Sequence, residues 1–313
     1  MRSLLWYSAL SVLCMSALSP STLPAQMKSI AERLGHPAGS KLLILHADDL
    51  GVAHSENVAS FDALDSGAIN SASIMMPTPW VTEVAAYAKA HPNADLGLHL
   101  TLTSEWETYR WGSVESKDKV PSLHDADGTL PRKTETVATR AKIDEVEREL
   151  RAQVERALAM GIRPTHVDSH MGALFNTPEL MGAYIKVARS YRLPFLGFIG
   201  ARRAANASLI TPHDIVFDTV LVVAEDTPPE KWKQWYLNTI ANLRPGLTEI
   251  LVHLGRDDVE MRAVMVNHEA YGAAWRQRDY DVVTSPEFKK ALKDNKIVMV
   301  TWRDLQKLMP LQP

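Results

Sequence analysis

Cysteine is almost absent from this sequence of 313 residues, and its only cysteine is Cys14. Cys14 lies in a segment that we interpret below as a signal peptide, so the mature chain would contain no thiol. Disulfide bonds, cysteine nucleophiles and thiolate zinc sites are therefore excluded for the mature protein. The lack of a free thiol also suits an oxidising compartment.

An excess of charge of one sign is also missing, since 34 basic residues stand against 37 acidic ones and the formal net charge is -3. We therefore have no electrostatic reason to expect nucleic acid or an anionic membrane surface as a partner. Glycine and proline number 15 and 18, which argues against fibrous and disordered classes. Hydrophobic residues make up 46% of the chain, enough to bury a large core.

The start of the chain has the pattern of a secretory signal. Arg2 precedes an apolar stretch over residues 3–18, and Leu23-Pro24-Ala25 ends in a small residue. These features predict a signal peptide over residues 1–26, with an uncleaved anchor as the alternative. The stretch is short for a membrane span. We therefore expect a secreted or periplasmic protein without a stable membrane span in its mature form, and a single domain over residues 27–313.

Apolar strands alternate with helices along the rest of the chain. Strands are predicted over residues 42–47, 72–76, 95–102, 165–169, 193–199, 215–223, 249–254 and 297–302. Helices are predicted over residues 55–66, 81–91, 139–160, 179–191, 231–243 and 286–294. This alternation predicts an α/β fold with a mostly parallel sheet, as a distorted (β/α) barrel of the TIM type. A doubly wound open sheet is the alternative, although no glycine-rich dinucleotide fingerprint follows the first strand.

Acidic and histidine residues occur at predicted strand ends, where the active sites of such barrels lie. Asp48 and Asp49 directly follow the first strand, and the repulsion between their carboxylates predicts a stabilising divalent cation. A helix cap or a solvated turn is the alternative for this pair. His253 ends another apolar strand, and His99 lies on a strand face opposite four leucines. Each histidine, taken alone, is more often a core residue than a metal ligand.

Three polar residues alternate along one predicted strand, so that His166, Asp168 and His170 point to one face. His170 lies nearest the carboxyl end of the strand, where a ligand is expected. His166 and Asp168 lie deeper, where they would orient a ligand or satisfy the core, and chance spacing is the alternative. An aspartate and two histidines without a thiolate fit a borderline or hard cation with open positions for water and substrate.

Four short motifs resemble those of the YdjC-like carbohydrate deacetylases, a family that includes chitooligosaccharide and hopanoid-biosynthesis deacetylases. In chain order they are Leu45-His46-Ala47-Asp48-Asp49-Leu50-Gly51, Gly97-Leu98-His99-Leu100-Thr101-Leu102, Arg163-Pro164-Thr165-His166-Val167-Asp168-Ser169-His170 and Leu251-Val252-His253-Leu254-Gly255. The resemblance runs from about Lys41 to Leu305, nearly the whole mature chain. Four motifs in the family's order make the resemblance specific.

The resemblance implies a distorted (β/α) barrel that binds a divalent metal ion, Mg or Zn. By motif, Asp49, His99 and His170 correspond to the metal ligands, Asp48 to the general base and His253 to the general acid. The implied activity is metal-dependent removal of acetyl groups from a carbohydrate. We expect an N-acetylated amino-sugar oligosaccharide as the substrate, with an O-acetyl ester as the alternative. The sequence does not fix the oligomeric state, and a homodimer is left open.

An aromatic segment over residues 104–111 follows the strand that contains His99 and is expected to lie over the site. Trp106 and Trp111 are predicted to stack on sugar rings, and Arg110 to hold an acidic group or a hydroxyl of the substrate. The alternative is a loop anchored by aromatic packing, and we favour a shared role. A second cluster precedes the last strand and consists of Tyr271, Trp275, Arg276 and Arg278.

The motifs depart from the family pattern at a few positions. Met171 and Gly172 stand where the third motif usually continues with more histidines, and Leu254 stands where the fourth usually has proline. These departures leave the metal ligands intact and bear on the substrate. One alternative function is a metal-dependent phosphoesterase, whose phosphate clamp would draw on Arg202, Arg203 and Arg256. Another is a catalytically inactive sugar-binding protein.

Overall fold

The computed structural model describes residues 28–197, 207–211 and 214–309. The predicted signal peptide over residues 1–26 lies outside these ranges, as do Arg202 and Arg203 of the alternative phosphate clamp. Within the described ranges, no helix combines the length and the apolar character needed to cross a membrane.

Strands and helices alternate along the described chain. The strands are β1 (Lys41–Leu50), β2 (Ser71–Ile74), β3 (Leu96–Leu100), β4 (Val167–Ser169), β5 (Thr219–Leu221), β6 (Gly246–Val252) and β7 (Ile297–Met299). The helices are α1 (Ile30–Arg33), α2 (His54–Asp65), α3 (Val81–Ala90), α4 (Thr134–Arg140), α5 (Ile143–Ala159), α6 (Pro178–Ser190), α7 (Trp232–Asn242), α8 (Val259–Val264), α9 (Ala273–Val283), α10 (Pro286–Asp294) and α11 (Trp302–Gln306). The predicted helices over 55–66, 81–91, 179–191, 231–243 and 286–294 correspond to α2, α3, α6, α7 and α10.

The strands form one parallel sheet in the order β4-β3-β2-β1-β6-β5, and β7 pairs with the first part of β1. The sheet curves toward closure between its two edges. Val167 of β4 forms a bridge with Phe195, and the amide of Phe217, just before β5, donates a hydrogen bond to the carbonyl of Gly197. Helices surround this curved sheet, so the predicted distorted (β/α) barrel is confirmed.

Strand β1 shows how the barrel interior changes from apolar to polar along its length. Leu42 and Ile44 join a buried cluster with Trp302, whereas the intervening Leu43 belongs to the larger core packed against the outer helices. Side chains of a strand alternate between its faces, so His46 and Asp48 continue the face of Leu42 and Ile44. The interior is therefore sealed by apolar side chains at one end and lined by polar side chains toward the carboxyl ends of the strands.

The helix predicted over residues 139–160 is confirmed over most of its length as α5, but its first residues belong to a separate helix, α4. The two helices are separated because Ala141 and Lys142 are extended, with ψ of 132° at both residues. The hydroxyl of Ser122 accepts a hydrogen bond from the amide of Lys142 at 2.9 Å, a contact that competes with continuing the helix. The strand predicted over 193–199 is reduced to the bridge at Phe195 within the described residues.

Candidate active site

A cavity of about 670 Å³ opens at the carboxyl ends of the strands. Its lining brings together all five residues of the predicted catalytic centre, which come from the ends of β1, β3, β4 and β6 and are Asp48, Asp49, His99, His170 and His253. This placement follows from the parallel sheet, which presents the ends of its strands on one side of the molecule. Residues up to 205 positions apart in the sequence thus share one cavity.

Asp49 lies at the centre of the site in a left-handed backbone conformation, with φ of 72°. Aspartate tolerates this conformation better than most residues. Its Oδ2 accepts a hydrogen bond from Nη2 of Arg276 at 2.6 Å. Its Oδ1 is buried and makes no hydrogen bond within the described part of the chain. Instead, Oδ1 faces Nε2 of His99 at 3.4 Å and Nδ1 of His170 at 3.3 Å.

A carboxylate holds the far side of each of these two imidazoles. Nδ1 of His99 donates to Oδ1 of Asp168 at 2.6 Å, and Nε2 of His170 donates to Oε2 of Glu105 at 3.0 Å. Carboxylates only accept hydrogen bonds, so these two nitrogens carry protons, and the opposite nitrogens face Asp49, where a bound cation would take their lone pairs. Metal-binding histidines are oriented in this way in proteins. Potential ligand atoms of Asp49, His99 and His170 lie within 4.8 Å of one another, a donor set that fits a divalent cation.

Asp48 and His253 lie beside the cluster formed by Asp49, His99 and His170. Oδ2 of Asp48 lies 3.8 Å from Nε2 of His253 and 4.0 Å from Nε2 of His99. The backbone amide of His253 donates to Oδ2 of Asp279 at 3.0 Å, which fixes the end of β6. The imidazole of His253 packs edge-on against Tyr271 with ring centroids 4.7 Å apart. A carboxylate and an imidazole are therefore available within reach of the same part of the cavity.

Burial and neighbouring charges shift the pKa values of these groups. Burial alone would raise the pKa of Asp49, but the guanidinium of Arg276 holds it well below its usual value. Burial would lower the pKa of His170, but the carboxylates of Glu105 and Asp49 raise it to about 10. Burial lowers the pKa of His253 to about 4. At neutral pH His253 is therefore uncharged, whereas His170 holds a proton that a bound cation would displace.

The model of the family described as YdjC-like protein matches residues 42–294 of the chain. The chain belongs to this family. A carbohydrate deacetylase of Thermus thermophilus is 32% identical over 289 residues, which cover 90% of this chain and 99% of the relative. A carbohydrate deacetylase of Brevibacillus brevis is 30% identical over 271 residues, covering 84% of this chain and 99% of the relative. The family resemblance inferred from the four motifs is thus confirmed.

A solved structure from Enterococcus faecalis, described as a cellobiose-phosphate cleavage protein, has the same fold as this YdjC-like chain. Its TM-score is 0.71 at 24% sequence identity, and the match covers 85% of this chain and 99% of that one. At this level of identity the likeness concerns the architecture alone. It supports the barrel as the common framework of the family.

The aromatic segment of this YdjC-like protein contributes to the cavity only in part. Trp106 lines the cavity, whereas Arg110 and Trp111 are not among its described lining residues. Nη2 of Arg110 donates to the hydroxyl of Thr129 and the carbonyl of Leu130, and the indole N–H of Trp111 donates to the carbonyl of Thr103. These contacts anchor the segment itself. Arg256, a candidate for the alternative phosphate clamp, forms an ion pair with Asp62 and lies over the ring of Tyr280.

Sequence reasoning did not assign a role to two residues that complete the site of the YdjC-like chain. Glu105 lies one position before the predicted Trp106, and Arg276 lies in α9, a helix that we did not predict. Arg276 is only 1% exposed. An arginine among aromatic residues was the available signal, but its partner Asp49 lies 227 positions away.

Proposed function

We propose that this YdjC-like protein is a divalent-metal-dependent deacetylase that acts on an acetylated carbohydrate. The observation that carries the proposal is the convergence of Asp49, His99 and His170 on one point of the cavity, beside Asp48 and His253. The substrate class comes from the relatives, which are named carbohydrate deacetylases. An N-acetylated amino-sugar oligosaccharide is the proposed substrate.

The metal ion would be held by Oδ1 of Asp49, Nε2 of His99 and Nδ1 of His170. Two imidazoles and one carboxylate favour zinc, because magnesium prefers ligands that are all oxygen. Such an ion, when bound, polarises a carbonyl oxygen and lowers the pKa of water. The chain supplies the lone pairs of the metal ligands. Asp168 and Glu105 orient the imidazoles of His99 and His170 through hydrogen bonds to their far nitrogens.

Asp48 is proposed to take a proton from the attacking water, and His253 to give a proton to the departing amine. The lowered pKa of His253, about 4, makes the imidazole uncharged before the reaction begins. Its proton must therefore arrive during the reaction. Asp48 is the nearby source, since its Oδ2 lies 3.8 Å from Nε2 of His253 and would hold the proton taken from water.

The sugar is proposed to bind between the aromatic side chains of Trp106 and Tyr271, which both line the cavity. Arg110 and Trp111, which we also predicted as substrate contacts, are proposed to act by holding the loop that carries Trp106. The proposed secreted or periplasmic location depends on the signal peptide over residues 1–26.

The proposal is tested by measuring acetate release from a panel of N- and O-acetylated oligosaccharides, with and without a chelator. We expect release that stops with the chelator and returns with added zinc or magnesium. A panel of sugar phosphates tests the alternative activity. Phosphate release without acetate release would overturn the proposal.

Two variants separate the roles of the adjacent aspartates. Asp48→Asn should keep the metal but lose activity by about 10²-fold or more, because a general base is removed. Asp49→Asn should lose the metal as well. Asp65→Asn makes the same chemical change on an exposed side chain and serves as the control. Normal turnover in Asp48→Asn would refute the assignment of the base.

A further inference from the structure

A second group of metal-ligand side chains lies inside the barrel, below the site described above. His46, His166 and Asp168 are buried, and their potential ligand atoms lie within 4.8 Å of one another. The proposed deacetylation gives no role to His46 or His166. Their contacts show how both imidazoles are oriented.

The hydrogen bonds fix which nitrogen of each imidazole carries a proton. The hydroxyls of Ser71 and Thr165 both donate to Oδ1 of Asp95, at 2.8 and 3.1 Å. Because each hydroxyl has a single hydrogen, each must accept from its histidine, and these contacts are 2.9 Å to Nδ1 of His46 and 3.0 Å to Nδ1 of His166. Both histidines therefore carry a proton on Nδ1 and direct Nε2 into the cluster, as metal-ligating histidines do.

Nε2 of His46 meets the hydroxyl of Ser73 at 3.0 Å, and both Nε2 atoms face carboxylate oxygens. Nε2 of His46 lies 3.1 Å from Oδ2 of Asp168 and 3.3 Å from Oδ1 of Asp48. Nε2 of His166 lies 3.9 Å from the same oxygen of Asp168. Oδ1 of Asp48 and Nε2 of His166 are buried and make no hydrogen bond within the described residues. Buried polar atoms without partners are unfavourable, and a cation held by His46, His166 and Asp168 would give Nε2 of His166 a partner.

The spacing of the ligand atoms of His46, His166 and Asp168 suits zinc. Zinc–nitrogen and zinc–oxygen bonds of about 2.0–2.2 Å place tetrahedral ligand atoms about 3.3–3.6 Å apart. Oδ2 of Asp168 lies 3.1 Å from Nε2 of His46 and 3.9 Å from Nε2 of His166, and these separations bracket that range. His166 is held in place by stacking on Trp302, with ring centroids 4.5 Å apart. Gly97 makes room for the imidazole, since a Cβ at this position would lie 2.3 Å from the His166 ring.

The surrounding charge favours a cation at this point. The carboxylates of Asp48 and Asp168 lie 3.3 and 3.1 Å from Nε2 of His46. The arginine of the neighbouring site, Arg276, is engaged with Asp49. A proton on Nε2 of His46 is the competing occupant.

We propose that His46, His166 and Asp168 form a second zinc site, beneath the cation site of Asp49, His99 and His170. All three side chains are buried, so the ion would be enclosed in the barrel interior and organise it. The inference does not depend on the proposed deacetylation.

The test is the zinc content of the full-length chain after chelator treatment and dialysis against zinc, measured by elemental mass spectrometry. We expect two zinc ions per chain, and one in each of His166→Asn and Asp49→Asn. Thr165→Val should weaken binding at the second site by about 10–100-fold, because it removes the partner of Nδ1. A single zinc in the wild type that His166→Asn retains would overturn the proposal, and so would two zinc ions in His166→Asn.

A measurement on the wild type keeps the test independent of any folding defect in the variants. Anomalous scattering at the zinc edge from zinc-loaded crystals should give a peak between Nε2 of His46 and Oδ2 of Asp168. A peak at Asp49 alone would mean that a proton occupies the second site and would overturn the proposal. Neither readout involves acetate release, so failure of the second site is distinguishable from failure of the proposed activity.

Discussion

Replacing Arg276 with methionine tests how the charge on Asp49 is stabilised. The two side chains are 1% and 4% exposed, and Nη2 of Arg276 lies 2.6 Å from Oδ2 of Asp49. Removing one partner of a buried ion pair costs about 3–5 kcal/mol, because the remaining charge is left uncompensated. Methionine keeps an unbranched chain in the same space. We therefore expect the free energy of unfolding in the presence of a chelator to fall by this amount.

Zinc should restore much of this loss, because a cation at Oδ1 of Asp49 replaces the missing charge. A ligand at a hundredfold excess over its Kd adds about 2.7 kcal/mol to the stability of the folded state. The assay is urea unfolding of Arg276→Met and the wild type, with and without zinc. Arg256→Met is the matched control, since its partner Asp62 is 55% exposed and such pairs contribute about 0–1 kcal/mol.

Equal losses with and without zinc would refute this reasoning, as would a loss no larger than in Arg256→Met. The pH dependence gives a further check. The lowered pKa of Asp49 contributes stability above the ordinary aspartate pKa of about 3.9, and this contribution is lost as the pH falls through the lowered value. Arg276→Met should show a weaker dependence on acid pH.

Four further outcomes follow from the structure. Glu105→Gln should weaken zinc binding by about 10–100-fold in a competition titration, because it removes the carboxylate behind His170, and unchanged affinity would contradict that role. The pKa of His170, about 10, means that zinc displaces a proton, so zinc affinity should rise about tenfold per pH unit around neutrality; a flat profile would argue against His170 as a ligand. Without metal, the stabilisation from this raised pKa should be complete below about pH 6.5 and lost as the pH rises toward 10, as measured by urea unfolding across that window. Gly97→Ala should destabilise the protein by about 1–3 kcal/mol in urea unfolding, because its methyl group would overlap the His166 ring, and wild-type stability would show that the ring can move.

The barrel was predictable because its central strands, such as β2 and β3, are buried on both faces and most of its strands read as apolar runs. The prediction over 42–47 corresponds to β1, and the helix predicted over 286–294 has the bounds of α10. The start of the helix predicted over 139–160 was wrong because Ser122, a residue distant in the sequence, interrupts the helix at Lys142. Periodicity describes one segment at a time and carries no information about such a contact.

The positions of the five cavity residues were predictable from strand ends, but their supporting partners were not. Glu105 reaches His170 across 65 positions of sequence. The contact between Arg276 and Asp49 depends on α9, whose position against the barrel is set by tertiary packing. When the helix itself is not predicted, the sequence does not indicate which carboxylate an arginine on that helix will contact. The metal-binding and catalytic roles of the site residues stay predictions until the experiments above are done.

The pairing of β1 has a consequence for how the chain is made. β1 is the first of the described strands to be synthesised, but two of its partners come much later in the chain. Lys41 at the start of β1 is paired with Gly246 of β6 and with Ile297 of β7. At about 5–20 residues per second, a ribosome needs roughly 10–40 s to reach the end of β6 after finishing the start of β1. During that interval β1 has an open edge, which is a template for association with other chains. A growing chain of this protein should therefore depend on chaperones until its last strands emerge.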